Sequence, residues 1–379
     1  MNKNILVLSL SKITSSSSRV LKEGQTLLKN GFSVTVASIC YDNQTEKEDV
    51  QGVPVRRFLL RSKKLPKYFI FQIIKWMEWY SLLKKWITND GRGIAIIDCH
   101  CLYTLLIGFF LAKQSHSKIV FNAHELETER NGLSGFRKQI SQFLEKKLIK
   151  KCSATIVVSQ SILEWYQQAY PNIKVNCIYN APMLQEPIKN DYFKKIYKLS
   201  TNDVIFLYQG AFFSGRGIPL LLETFKQLPP NYHIVFMGFG PEEQAIKNAS
   251  QKCLNIHIHD VVPQKDLYKY TPSANYGFSL IESVSLSYEL CMPNKLFEYT
   301  MYEVPVIVSN TKDQSTFIRK NRIGYVLEDY TPNGLKQLIL SVDISEREVL
   351  VQNMKKIKTD ICWENQEEKL VGIYNSILV

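Results

Sequence analysis

The strongest constraint on this chain is an alternation that begins at once. Residues 4–10 are an apolar run that reads as a buried strand, residues 12–18 a polar loop, and residues 19–29 a helix closed by Asn30-Gly31. Residues 33–39, rich in Val, Thr and Ile, are the next strand. Strand, helix, glycine and strand in that order make a βαβ unit, whose crossover forces the two strands to be parallel. The alternation continues with strands over 94–100, 118–125, 154–159 and 175–179. It starts afresh at 204–208 and runs through 233–237, 256–259, 275–281 and 304–308. A chain of 379 residues has room for two such sheets, each with its own core. The expected class is therefore α/β. The expected division is an N-terminal domain over 1–182, a polar Lys- and Asn-rich linker over 183–200, a C-terminal domain over 201–362, and a final helix over 363–379 that packs back on the first domain.

Open parallel sheets bind ligands at the carboxyl ends of their strands, so the turns there carry the chemistry. The heptapeptide Pro293-Asn294-Lys295-Leu296-Phe297-Glu298-Tyr299 joins a turn to an apolar helix. The free N–H groups and positive dipole end of such a helix suit a phosphate. Lys295 adds a full charge there, and Glu298, on the same helical face, can accept from a pair of sugar hydroxyls. Glycine-containing turns follow the strands of the second half: Gln209-Gly210, Gly215-Arg216-Gly217 and Gly238-Phe-Gly240-Pro241, with Val262-Pro263 beyond them. Such turns let backbone approach a phosphate or a base, and Arg216 can grip a phosphate with two N–H bonds. In the first half, His100 and His124 each end a strand. The pair His124-Glu125 reads as a candidate for catalysis or binding, and the serines of the first loop, Ser16 and Ser17 among them, as candidates for holding an acceptor's hydroxyls. The first loop has no GxGxxG, which excludes a dinucleotide fingerprint.

The formal net charge of +12 calls for an anionic partner. Arg56, Arg57, Arg61, Lys63, Lys64 and Lys67 precede an aromatic helix over 69–87 that contains Trp76, Trp79 and Trp86. A buried core helix accounts for those aromatics, and so does a helix resting on an anionic membrane surface. Lys146, Lys147, Lys150 and Lys151 extend the basic surface. No RNP, zinc-finger or helix-turn-helix pattern accompanies the charge, so nucleic acid is not expected as a partner. Eight scattered Cys, with no CxxC pair and no signal peptide, read as reduced cytosolic thiols. No His, Asp or Glu cluster has metal-ligand spacing, so no metal and no cofactor is expected.

Tyr208-Gln-Gly, Gly215-Arg-Gly-Ile218, Gly238-Phe-Gly-Pro241 and the heptapeptide before Val304-Pro-Val-Ile resemble the C-terminal half of group 1 (family four) glycosyltransferases. His124-Glu125 and Trp363-Glu-Asn-Gln resemble other parts of that family's pattern. The resemblance implies the GT-B architecture: two Rossmann-like domains with parallel sheets facing across a cleft, the donor nucleotide on the C-terminal one. It implies that Arg216 and Lys295 hold the donor's diphosphate, with Gly210, Pro293 and Asn294 around it, and that Glu298 takes the ribose hydroxyls. Gly238, Gly240 and Val262 would line the base, and His124 would face the reacting sugar. The family retains anomeric configuration and works without a bound metal. Two features depart from its pattern. The family's first Glu falls at Leu290, with Glu289 one position away as a candidate catalytic carboxylate, and the usual glycine-rich first loop is serine-rich. The implied function is a retaining transferase that moves a sugar from a nucleotide-diphosphate sugar to a lipid-linked or surface-polysaccharide acceptor. Its expected place is the cytoplasm, peripherally bound to the inner face of the membrane. The alternatives are a nucleotide-sugar epimerase of the same fold and a catalytically inactive sugar-nucleotide-binding subunit.

Overall fold

A computed structural model describes every residue except 1, 15–17, 42–43, 67, 92 and 379, and the backbone alone of 18, 90 and 344. The chain folds as two α/β units, one of residues 1–178 with 367–379, the other of residues 179–366. The serines Ser16 and Ser17 and the basic Lys67 lie outside the described residues.

In the first unit the described strands are β1 (Asn4–Leu8), β2 (Ser33–Ile39), β3 (Lys47–Val50), β4 (Val53–Phe58), β5 (Ile96–Cys99), β6 (Lys118–Asn122), β7 (Ala154–Val157) and β8 (Val175–Cys177). They form one sheet in the order β3-β4-β2-β1-β5-β6-β7-β8. Every pairing is parallel except the hairpin β3–β4. That hairpin was not legible as strands. Its turn, Gln51-Gly52, has both residues at positive φ (56° and 83°), which matches the right-handed twist of the flanking strands. The order reverses between β1 and β5, so the loops after these strands diverge and leave a crevice at their carboxyl ends.

The second unit holds β9 (Val204–Ala211), β10 (Tyr232–Phe239), β11 (Ile256–His259), β12 (Tyr276–Ser279), β13 (Val306–Ser309) and β14 (Gly324–Leu327). Their order is β11-β10-β9-β12-β13-β14, all parallel. Side chains alternate between two cores. Ile205, Leu207, Val235 and Met237 join the helix Asn294–Met301 on one face. Val204, Phe206, Tyr208 and Phe236 join the helix Ile218–Phe225 on the other. Burial on both faces is why these strands read as unbroken apolar runs.

Two expectations need correction. Residues 183–200 are not a linker. They belong to the second unit, where the helix Tyr192–Tyr197 buries Phe193 completely against the core that also contains Ala181. Arg57 does not belong to a solvent-facing basic cluster. Its place on β4 turns it inward, where it is buried, pairs with Glu48 at 2.6 Å and donates to the carbonyls of Thr45 and Ile13. The aromatic helix, Phe69–Asp90, divides its residues: Trp79 and Leu83 are buried, while Tyr68 just before it and Ile70, Ile74 and Met77 within it are exposed. No helix among the described residues is long and apolar enough to cross a membrane.

Candidate active site

The helix Asn294–Met301 is buried from Lys295 to Met301, charged residues included. Tyr299 fixes its height against the sheet, donating to the Leu207 carbonyl (2.8 Å) and accepting from the Gln209 N–H (3.0 Å). Pro293 occupies the N-cap with extended backbone and no side chain caps the first turn. The Leu296 amide donates to the Pro293 carbonyl at 3.1 Å, which leaves those of Asn294 and Lys295 without a partner among the described residues. Asn294, the first helical residue, is exposed.

Lys295 follows in that first turn and is nine-tenths buried. Its ammonium lies 3.7 Å from the centre of the Tyr208 ring and about 4.0 Å from where a side chain on Gly210 would begin. Nζ has no hydrogen-bond partner among the described residues. Burial, then the like charge of Arg216, pushes its pKa down to about 7. A buried, unpaired cation costs free energy that a matching anion would recover. Arg216 sits between two left-handed glycines, half-buried, its guanidinium 4.6 Å over the ring of Tyr288, and has no acidic partner among the described residues. Gly217 is the N-cap of Ile218–Phe225 at φ 77°, where a Cβ would also meet Leu280 at 2.6 Å.

Gly238 marks a close approach of chain to chain: a Cβ there would lie 1.9 Å from the carbonyl oxygen of Gly210. Gly240, at φ 151°, presses on Phe212 in the same way. The carboxyl ends of β9 and β10 are thereby held flush, beside the reversal of strand order between β9 and β12. Val262 is half-buried and packs against the core beneath.

Glu298 is buried and its two oxygens each accept an amide N–H, from Gln209 at 2.6 Å and Gln264 at 3.0 Å. Thr271 donates to the Gln209 carbonyl oxygen (2.8 Å), which orients the amide so that its NH2 faces Glu298. Gln209, Gln264 and Thr271 were not read from the sequence. The signal was present at Gln209, a polar residue closing an apolar strand immediately before Gly210. Glu289 lies half-buried at the end of the short helix Leu286–Glu289 and accepts from Ser283 (2.6 Å). Its neighbour Tyr288, rather than Glu289 itself, is the residue in contact with Arg216.

In the first unit β5 and β6 bring His100 and His124 together, with Nδ1 of His100 2.8 Å from Nε2 of His124. His100 is buried and His124 is exposed. Crowding by protein, then the charges of His100, Arg19 and Arg130, holds the His124 imidazole well below its ordinary pKa. Glu125 is taken up by Arg130, whose Nε lies 2.9 Å from it, and Arg130 also reaches Glu127 at 3.4 Å. A cavity of about 260 Å³ opens beside this pair, lined by Tyr103, Glu127, Arg130 and Arg137 among others.

Residues 17–182 match the family described as Glycosyltransferase Family 4, and residues 189–357 the family described as Glycosyl transferases group 1. No curated protein matches the sequence. Among solved structures, sucrose-phosphate synthase from Thermosynechococcus elongatus is similar with a TM-score of 0.81 at 16% identity, over 99% of both chains. The Anabaena protein HepE, solved with UDP-glucose, has a TM-score of 0.75 at 13% identity over 98% of this chain and 99% of its own. The catalytic domain of Arabidopsis thaliana starch synthase IV, solved with ADP and acarbose, has 0.69 at 13% over 99% of each. At such identities the likeness speaks for the fold.

Proposed function

Since the chain belongs to the group 1 glycosyltransferases, we propose that it takes its sugar from a nucleotide-diphosphate donor held on the second unit and transfers it, with retention, to a lipid-linked or surface-polysaccharide acceptor. The observation that carries the donor half is the buried ammonium of Lys295, without a hydrogen-bond partner among the described residues, beside an uncapped helix N-terminus and an Arg216 that has no acidic partner among them. Two cations and the amides of Asn294 and Lys295, fixed before the donor arrives, stabilise the charge that grows on a departing diphosphate without reorganisation. In this reading no metal is needed for that charge, and activity is expected to persist in EDTA. Loss of activity on chelation, restored by Mg²⁺ or Mn²⁺, would sink that part. The ribose hydroxyls would share Glu298 with Gln209 and Gln264, and His124 would donate to the transferring sugar.

The acceptor half rests on the first unit. Exposed apolar side chains occur on three of its helices: Ile70, Ile74 and Met77 on Phe69–Asp90, Phe110 on Leu102–Ser115, and Phe136 and Phe143 on Gly135–Leu148. The helices touch through Trp76 stacked on Tyr103 (4.5 Å), Tyr80 edge-on to Phe110 (6.2 Å) and Arg137 over Phe69 (5.9 Å). Exposed Arg61, Lys64, Arg137, Lys146 and Lys147 supply the cations on the same elements or next to them. An apolar face with basic neighbours suits the anionic inner leaflet, and a lipid-borne acceptor would reach the cavity lined by Arg130 and Arg137 from there. Thermal shift against UDP-, GDP-, CMP- and dTDP-sugars tests the donor half, because a ligand of the folded state raises its melting temperature. Absence of any shift, in wild type, would remove donor binding.

A further inference from the structure

The first unit contains a chain of hydrogen bonds that runs from its interior out to His124, and the reaction above gives a role to that last member alone. Tyr374, on the last helix, donates to Oδ2 of Asp98 at 2.7 Å. The same oxygen lies 3.0 Å from Nε2 of His100, whose Nδ1 meets Nε2 of His124 at 2.8 Å. Glu23 closes the other side: its Oε2 is 3.6 Å from His100 Nε2 and accepts from Asn122 at 2.6 Å, while its Oε1 pairs with Arg19 at 2.8 Å. Arg19, Glu23, Asp98, His100 and Asn122 are all buried. The groups that face His100 are therefore Arg19 and Glu23 from the helix Ser18–Lys29, Asp98 from β5, Asn122 and His124 from the end of β6, and Tyr374.

Two carboxylates and one guanidinium leave a net negative charge in a sealed site, which is expensive unless a second cation is present. His100 is the group placed to supply it. An ionised carboxylate only accepts, so Nε2 of His100 must carry a proton toward Asp98. A cationic ring also carries one on Nδ1, and the acceptor it then meets among the described residues is Nε2 of His124. The proton of a neutral His124 is left on Nδ1, where no hydrogen bond is present among the described residues.

We propose that His100 is a positioning residue for His124: an imidazolium clamped by Asp98, it fixes His124 as the neutral tautomer that offers Nδ1–H to the transferring sugar. This rests on the role given to His124 above. Burial works to lower the pKa of His100, and the charges of Asp98 and Glu23 outweigh it, so that the pKa is raised from the usual His value. That direction agrees with the charge count.

The test needs no substrate. Nitrogen-15 spectra of the histidine rings are recorded on the full chain, with the two rings assigned from the spectra of His100→Gln and His124→Gln. At pH 7, His100 should show both nitrogens protonated and His124 one protonated nitrogen, Nδ1. A neutral His100, or a His124 protonated on Nε2, overturns the proposal. In Asp98→Asn the titration midpoint of His100 should fall, because its counter-charge is gone; an unchanged midpoint also overturns it. If that variant does not fold, the wild-type spectrum decides alone. The role of His124 fails separately: normal kcat in His124→Ala would remove it from the reaction whatever its tautomer.

Discussion

Lys295 is where a residue's cost and its use are most easily separated. Its pKa, pushed down to about 7, lies below that of a lysine in the unfolded chain. The unfolded state therefore binds the proton more tightly, and folding stability rises with pH from about 7 toward the ordinary lysine value. The cost is present in full below pH 7. Lys295→Met is expected to raise the melting temperature of the ligand-free protein at neutral pH. It should also weaken binding of the diphosphate by about 1.5–3 kcal/mol, the range for a charge-assisted bond. Arg216→Ala should weaken binding by a similar amount without the gain in stability. Wild-type affinity in both variants, measured by calorimetry, would remove them from the site. A bound diphosphate favours the charged ammonium, so binding above pH 7 takes up a proton and affinity falls as pH rises. Calorimetry in two buffers of different ionisation enthalpy reads this directly, and equal heats would rule it out. The residues proposed for the donor stood out in the sequence because glycine, Lys and Arg lie next to strand ends. Gln209, Gln264 and Thr271 did not, because neutral amides and hydroxyls reveal a role only through their partners.

The helix Asn294–Met301 presents its N-terminus at a fixed height because one phenol holds it to β9. Tyr299→Phe removes the donor to the Leu207 carbonyl and the acceptor for the Gln209 N–H, leaving both backbone groups buried without that partner. Its expected cost is about 1–3 kcal/mol, seen as a lower melting temperature. An unchanged value would mean that the pair is satisfied in another way. This element could be read in advance because a proline, an apolar helix and a β-branched strand stood in sequence. The hairpin β3–β4 could not, since Gln51-Gly52 is a weaker signal than Asn-Gly and β4 carries two arginines. The helix Tyr192–Tyr197 was hidden for a related reason. Lys and Asn gave its surroundings the composition of a linker, and only Tyr192, Phe193 and Tyr197 marked an apolar face.

At the scale of the molecule, the +12 charge and the exposed aromatics of the first unit predict co-sedimentation with anionic vesicles, release by high salt and no binding to zwitterionic vesicles. Lys146→Glu and Lys147→Glu, combined with Phe136→Ser and Phe143→Ser, should abolish that binding and leave the melting temperature near wild type, since all four side chains are exposed. Equal partitioning onto both vesicle types, or onto neither, would end the membrane reading. Two sheets were legible from the alternation of strands and helices, and the final helix expected over 363–379 contributes residues 367–379 to the unit that holds the first sheet. Its buried Asp98 takes a hydrogen bond from Tyr374, and Leu370 and Tyr374 are sealed in a unit whose other residues end at 178. A ribosome therefore delivers the whole second unit before the first can be finished. At the usual pace of synthesis that delay is on the order of 10–40 s. For that interval the nascent first unit carries an unsealed apolar seam and an Asp98 without its phenol, a natural client for chaperones until the last residues emerge.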